Sequence, residues 1–162
     1  MRIEKQTERA RWLLQNVKHA AMATVNDDGT PHNTPYLFMI SDDLKELYWG
    51  SHPESIHSKN IYRDGNLFVV LYEANERGGL YIKACNGRIA EGKELDRSLK
   101  KHNELRTKYG SEPLPRSYYG EGSIQKMHVA DIRAFWVNYE ECDKDGHAIR
   151  DCRAEIKRED LL

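Results

Sequence analysis

Long apolar stretches are missing from this 162-residue chain: the uninterrupted ones end after a few residues, where a membrane-spanning helix needs about 20. Cysteine is scarce. Cys85, Cys142 and Cys152 are odd in number, widely spaced and without a Cys-x-x-Cys pair. That argues against a disulfide framework and a zinc site, and a reducing compartment is the expectation. The start, Met1-Arg2-Ile3-Glu4-Lys5, carries no apolar signal core, so a cytoplasmic location is expected. An excess of one charge is also missing: 25 basic residues face 26 acidic ones, for a net charge of −1. Nucleic acid and membrane surfaces are therefore not expected as partners. Apolar side chains are in short supply. Hydrophobic residues make up 39% of the chain and nine of them are Tyr, while charged residues reach 31% against a usual ~25%. The length suits a single domain, residues 1–162, with room for a sizeable core. The thin supply predicts that a ligand or a second subunit completes its burial.

Several motifs are absent as well. There is no Walker sequence, and Gly120-Glu121-Gly122 lacks the third glycine of a dinucleotide fingerprint. No Gly-x-Ser-x-Gly elbow marks a hydrolase. His52 and His57 do not share a face in helical or strand spacing, and Asp143-Lys144-Asp145-Gly146 reads as a turn without the later ligands of a calcium loop, so no metal site is expected. Cys85 reads as a small core residue.

What is present is a run of strands joined by turn signals. Gln6–Lys18 reads as an amphipathic helix with Thr7 as the N-cap candidate and Ala10, Leu13, Leu14 and Val17 on one face. Strands are expected at Ala21–Val25, Pro31–Ser41 (carrying Pro35), Glu46–Gly50, Asn66–Ala74, Leu80–Glu91, Met127–Glu141 and Ala148–Ile156. Turns fall at Asn26–Gly29, Asp42–Lys45, Asn75–Gly79 and Asp143–Gly146. Ser51–Asp64 reads as a loop and short helix. A surface helix, Asp96–Tyr109, is capped by Asp96 and stopped by Gly110; its basic residues read as a solvated face. Antiparallel strands with peripheral helices predict a small barrel and not a doubly wound sheet.

The segment from Gly29 to Asn60 concentrates the chemistry. Pro35, Tyr36 and Phe38 lie on one strand, Tyr48-Trp49-Gly50-Ser51 on the next, and His57-Ser58-Lys59-Asn60 at the short helix. Aromatic walls, a small-residue break and a hydroxyl beside a cation suit a planar ring with a phosphate tail. The same aromatics read equally well as core, with Lys59 solvated.

At these residues the sequence resembles the pyridoxamine phosphate oxidase-like family, the FMN-binding split barrels. The resemblance runs from about His19 to Glu91. It rests on Ala21-Met22-Ala23-Thr24-Val25, Asp28-Gly29-Thr30-Pro31, Pro35 and Phe38, and Leu47-Tyr48-Trp49. Ser58-Lys59-Asn60-Ile61, Asn66-Leu67-Phe68-Val69-Val70, Asn86-Gly87-Arg88-Ile89-Ala90 and the later Trp136-Val137-Asn138 extend it. It implies a mainly β (α+β) fold, a six-stranded antiparallel split β-barrel with peripheral helices, assembled as a homodimer holding two FMN at the subunit interface. It further implies that Thr34 and Tyr36 meet the flavin ring, Trp49 and Gly50 approach the ribityl phosphate, and Ser58 and Lys59 bind the phosphate. Trp136 is implied to reach the ring from the other subunit. The chain departs from the true oxidases at Thr34 and Ser58, where they carry arginine, and near Met39, where they carry lysine. It also lacks their Arg-Leu-x-Pro end. Lys59 is then the one clear phosphate cation. The expected function is that of a small FMN-dependent oxidoreductase acting on a small molecule the sequence does not specify, with no catalytic acid or base singled out. The alternative is a non-enzymatic flavin, heme or deazaflavin binder, or a cofactor-free dimeric scaffold, on the same barrel.

Overall fold

A computed structural model describes residues 3–74 and 78–162. Asn75–Arg77, within the expected turn Asn75–Gly79, lie outside the described residues, as do Met1 and Arg2. The chain opens with helix α1 (Ile3–Asn16), continues through β1 (His19–Val25), β2 (Pro31–Leu37), β3 (Met39–Ile40) and β4 (Glu46–Ser51), and then forms α2 (Ile56–Asp64). Strands β5 (Leu67–Tyr72) and β6 (Gly79–Ile89) precede α3 (Gly92–Lys108), and β7 (Lys126–Cys142) and β8 (Ala148–Ile156) close the chain. Helix α1 starts ahead of its expected cap. Thr7 lies inside it, buried, and its hydroxyl donates to the Ile3 carbonyl (3.0 Å) instead of capping the end.

All strand pairs are antiparallel, in the order β2-β1-β5-β6-β7-β4-β3. The two ends of this path are consecutive in sequence, separated by Phe38 alone. The expected strand Pro31–Ser41 is thus one strand broken at Phe38, whose halves bond to opposite edges of the sheet and curl it into a ring of six strands. Pro35 sits in the half bonded only to β1, where a missing N–H is tolerated. Strand β8 stands outside the ring, paired with the second half of β7. The result is the split barrel with peripheral helices.

Alternation fills the barrel. Ala20 and Met22 of β1, Leu67, Val69 and Leu71 of β5, and Leu80, Ile82 and Ala84 of β6 point inward, closed by Leu13 of α1 and Ile61 of α2. On β7, Ile132 and Phe135 are both inward although three apart, because a bulge between Lys83/Ala84 and Ala134/Ile132 resets the alternation. A second bulge, at Asn86–Gly87, seats α2: a Cβ on Gly87 would lie 2.2 Å from Ile61 Cγ2.

Helix α3 begins four residues before its expected cap, with Glu91 at the N-cap and Asp96 within the first turns. This earlier start brings Leu95 onto the helix, where with Leu99, Ser98 and His102 it is buried against the outside of the barrel. The helix therefore covers a second small core with Met39, Tyr48, Met127, Val129 and Tyr119. It is not a purely surface helix, because Leu95 supplies the apolar position missing from the shorter span. Cys85, expected in the core, is half-buried on the opposite face from Ala84, where Arg133 Nε donates to its sulfur (2.7 Å).

Candidate functional site

Two features of the barrel are candidates for a site. The first is the outward face of the sheet. Register places Asn33, Ala23, Phe68, Lys83 and Ala134 in one row across β2, β1, β5, β6 and β7, and Pro35, Ala21, Val70, Tyr81 and Trp136 in the next. Small side chains on β1 and β2 thus make a low floor beside an aromatic ridge. Phe68 packs against Trp136 (ring centroids 6.0 Å apart) and Tyr81 (6.2 Å). The Arg153 guanidinium of β8 lies 3.9 Å from the Tyr81 ring centre. Phe68, Val70, Tyr81 and Trp136 are all half-buried, and Tyr72 beyond them is 60% exposed. A hollow of ≈ 700 Å³ opens at this edge against Val70, Tyr72, Tyr81 and Asn138. Polar groups interrupt this ridge: Asn33 and Lys83 lie in the same row, and Glu73, Glu140 and Asp151 also line the hollow.

The second is the barrel mouth where β4 ends and α2 begins. Ser51 Oγ lies 2.8 Å and Ser55 Oγ 3.1 Å from His57 Nε2, and the two hydroxyls are 3.1 Å apart. Burial and the neighbouring His32 imidazole both hold the His57 pKa below the usual histidine value. The cluster continues inward. Ser55 donates to Ser58 (2.9 Å), and deeper in, the Tyr62 hydroxyl lies 2.6 Å from His128 Nε2. His128 is fully buried, stacked between Trp49 (5.2 Å, 12°) and Tyr62 (5.8 Å, 21°). Burial lowers its pKa to about 4, so the ring is neutral at pH 7. Its Nδ1–H must donate to the Lys126 carbonyl (3.1 Å), because a carbonyl only accepts. Nε2 is then bare, and the Tyr62 hydroxyl donates to it.

The seven residues singled out from sequence are not gathered at one point. Thr34 and Tyr36 alternate into the barrel from β2; Tyr36 packs on the main core, and its buried hydroxyl has no hydrogen-bond partner. Burial raises the Tyr36 pKa. Trp49 is a core residue, 1% exposed, with its Nε1–H also unpartnered. Gly50 faces the other way, and its free side is filled by Tyr119: a Cβ there would lie 2.7 Å from the Tyr119 hydroxyl. Ser58 is fully buried within the inward chain of hydroxyls. Lys59, one residue on, turns to solvent and pairs with Glu54 (2.9 Å). Trp136 alone lies on the face that carries the aromatic ridge. Ser51, Ser55 and His57 were not singled out as ligands, yet their side chains converge at the mouth. The signal was their position: Ser55 is the N-cap of α2, and Ser51 ends β4 facing it.

Among the described residues, no group of three or more His, Cys, Asp or Glu is placed to hold a metal ion, and no helix is long and apolar enough to cross a membrane.

No protein-family model matches the sequence, and no curated protein does. Solved structures do match. A protein from Clostridium acetobutylicum related to general stress protein 26, of the pyridoxinephosphate oxidase family, aligns over 98% of this chain and 99% of its own, with TM-score 0.61 and 14% identity. A heme binding protein from Mycobacterium smegmatis aligns over 96% of this chain with TM-score 0.66 and 14% identity, this chain spanning 59% of that one. An F420 reductase aligns over 78% of this chain and 94% of its own, with TM-score 0.58 and 18% identity. The chain therefore has the split-barrel fold that the pyridoxinephosphate oxidase-family protein, the heme binding protein and the F420 reductase share.

Proposed function

We propose that the protein is a homodimeric FMN-binding flavoprotein, a small oxidoreductase whose substrate meets the flavin at the outward face of the sheet. The observation that carries this reading is that face itself. Its floor of Ala21, Ala23, Asn33 and Pro35 beside the ridge of Phe68, Tyr81 and Trp136 has the shape and polarity for a planar ring, and it leaves apolar area for a second copy to cover. The split-barrel neighbours named for a pyridoxinephosphate oxidase family and for F420 reduction are consistent with it.

The residues present fit the two ends of FMN differently from the sequence expectation. At the ring end, Phe68, Tyr81 and Trp136 would hold the flavin and keep water from one side of it. At the phosphate end, Ser51, Ser55 and His57 offer hydroxyl and imidazole groups and Lys59 an exposed ammonium in a weak surface pair with Glu54, whereas Ser58 is sealed. When bound, FMN supplies the electron or hydride transfer. The protein positions it and excludes solvent.

A non-enzymatic carrier of flavin, deazaflavin or heme is the second reading. One observation favours it: the chain has Thr34 and Ser58 at the positions where the true oxidases carry arginine, and Ser58 is sealed in the interior. The visible spectrum of the purified protein and a titration with FMN test the first reading; bound flavin is expected to quench and to reduce anaerobically with NADH or NADPH. Bound flavin that neither nucleotide reduces would favour the carrier. Absence of quenching at micromolar protein would overturn both flavin readings.

A further inference from the structure

We propose that the ridge face is self-complementary in charge: a second copy docks on it about a twofold axis lying across the strands between the row of Trp136 and the row of Asn138, and Lys83 of each copy enters the acidic hollow of the other. The inference rests on the homodimer of the reading above, not on its flavin, and it fixes which residues meet.

The face is charged at both ends and aromatic between them. Lys83 stands exposed at one end, level with Ala134 of β7. The hollow lies at the other end, and among the described residues its charged lining is Glu73, Glu140 and Asp151, all acidic. Asp151 is level with Glu140, which lies about 20 Å beyond Ala134 along β7 at the usual strand rise. Glu73 is engaged by Arg9 (3.2 Å). Glu140 and Asp151 oppose each other directly across β7 and β8, and like charges so placed repel. A cation entering the hollow relieves that repulsion. Lys83, Asp151 and Glu155 have no ion-pair partner among the described residues.

In a twofold interface each contact between unlike residues occurs twice. With the axis between the two rows, the Lys83 row falls on the Glu140 row of the other copy, and the Lys83 ammonium stands over that copy's hollow. The Trp136 row falls on the Asn138 row. On β8 this sets Glu155, opposite Trp136, against Arg153, opposite Asn138, a second pair of unlike charges. On β6 it sets Tyr81 over Gly79, so the ring meets a position without a side chain, and on β5 it sets Val70 beside Tyr72. An axis over the Trp136 row itself would set Glu155 against Glu155, and one over the Asn138 row Arg153 against Arg153. The charges therefore select the register between them, with unlike charges at the edges and aromatic side chains in the middle.

The test is sedimentation velocity at low salt on wild type, on Lys83→Glu, on Asp151→Lys and on an equimolar mixture of the two variants. Lys83→Glu alone sets a glutamate against Asp151 at both contacts, and Asp151→Lys alone sets a lysine against Lys83. Each is expected to dimerise at least about tenfold more weakly than wild type. In the mixture both contacts join unlike charges, so heterodimers are expected with an affinity within about threefold of wild type. Mixing also guards against misfolding, since two misfolded chains would not regain a dimer. Variants that dimerise as wild type does, or that stay apart when mixed, overturn the register and leave the dimer reading standing. Wild type that sediments as a monomer at micromolar concentration overturns both. A dimer regained in the mixture by a protein that does not quench FMN supports the register and overturns the flavin reading.

Discussion

His128 shows what a single side chain adds to the account of this barrel. A fully buried histidine is tolerated because core Trp49 and the partly exposed Tyr62 sandwich its ring and both nitrogens are satisfied, one by the Lys126 carbonyl and one by the Tyr62 hydroxyl. The folded state holds it neutral down to about pH 4, while the unfolded chain protonates it near 6.5. The unfolded state therefore binds the extra proton in between, and stability falls as pH falls through that window. The expected loss from this one group is about 2 kcal/mol between about pH 7 and about pH 5, and urea unfolding of His128→Phe should show a correspondingly smaller loss. Nothing in the sequence marked this residue, because its surroundings are assembled from β4, α2 and β7. The same holds for the phosphate end. Ser58 and Lys59 were legible as a hydroxyl beside a cation, but a helix turns adjacent residues about 100° apart, so one is sealed and the other exposed. FMN affinity should therefore fall in Lys59→Ala, whose exposed pair with Glu54 is weak enough to give way to a phosphate, and change by less than about twofold in Ser58→Ala, whose hydroxyl is sealed.

The elements that position the mouth depend on two departures from regularity. Phe38 breaks a strand so that its halves close the ring. Gly87, in the β6 bulge, makes room for Ile61 of α2. Alternation made the strands readable, and turn residues made their order readable. The break at Phe38 and both bulges were not, because they answer to barrel closure and not to local sequence. Helix α3 was read four residues short because Leu95 precedes the Asp96 that resembled a cap, whereas the chain uses Glu91. The Gly87 seat gives an element-level test. Gly87→Ala should cost about 1–3 kcal/mol by overpacking. In an Ile61→Ala background, where the opposing methyl is gone, the added cost should shrink, a coupling that denaturant unfolding of the double-mutant cycle measures.

For the molecule as a whole, the short supply of apolar side chains has a structural counterpart. Alternation spends the aliphatic residues on the barrel interior and the α3 core, and leaves Phe68, Val70, Tyr72, Tyr81 and Trp136 on the outer face of the sheet. A second copy pairing through this face would finish the burial. The variant Phe68→Glu, which places a charge at the centre of the aromatic ridge, is expected to leave the barrel folded by circular dichroism while shifting it to monomer and weakening FMN at least about tenfold. The most direct measurement is sedimentation velocity of wild-type protein with FMN, followed at the flavin's visible absorbance. The account predicts that flavin sediments with a species of twice the chain mass, one flavin per chain. Protein sedimenting as a monomer, with the flavin left behind at the meniscus, would contradict it.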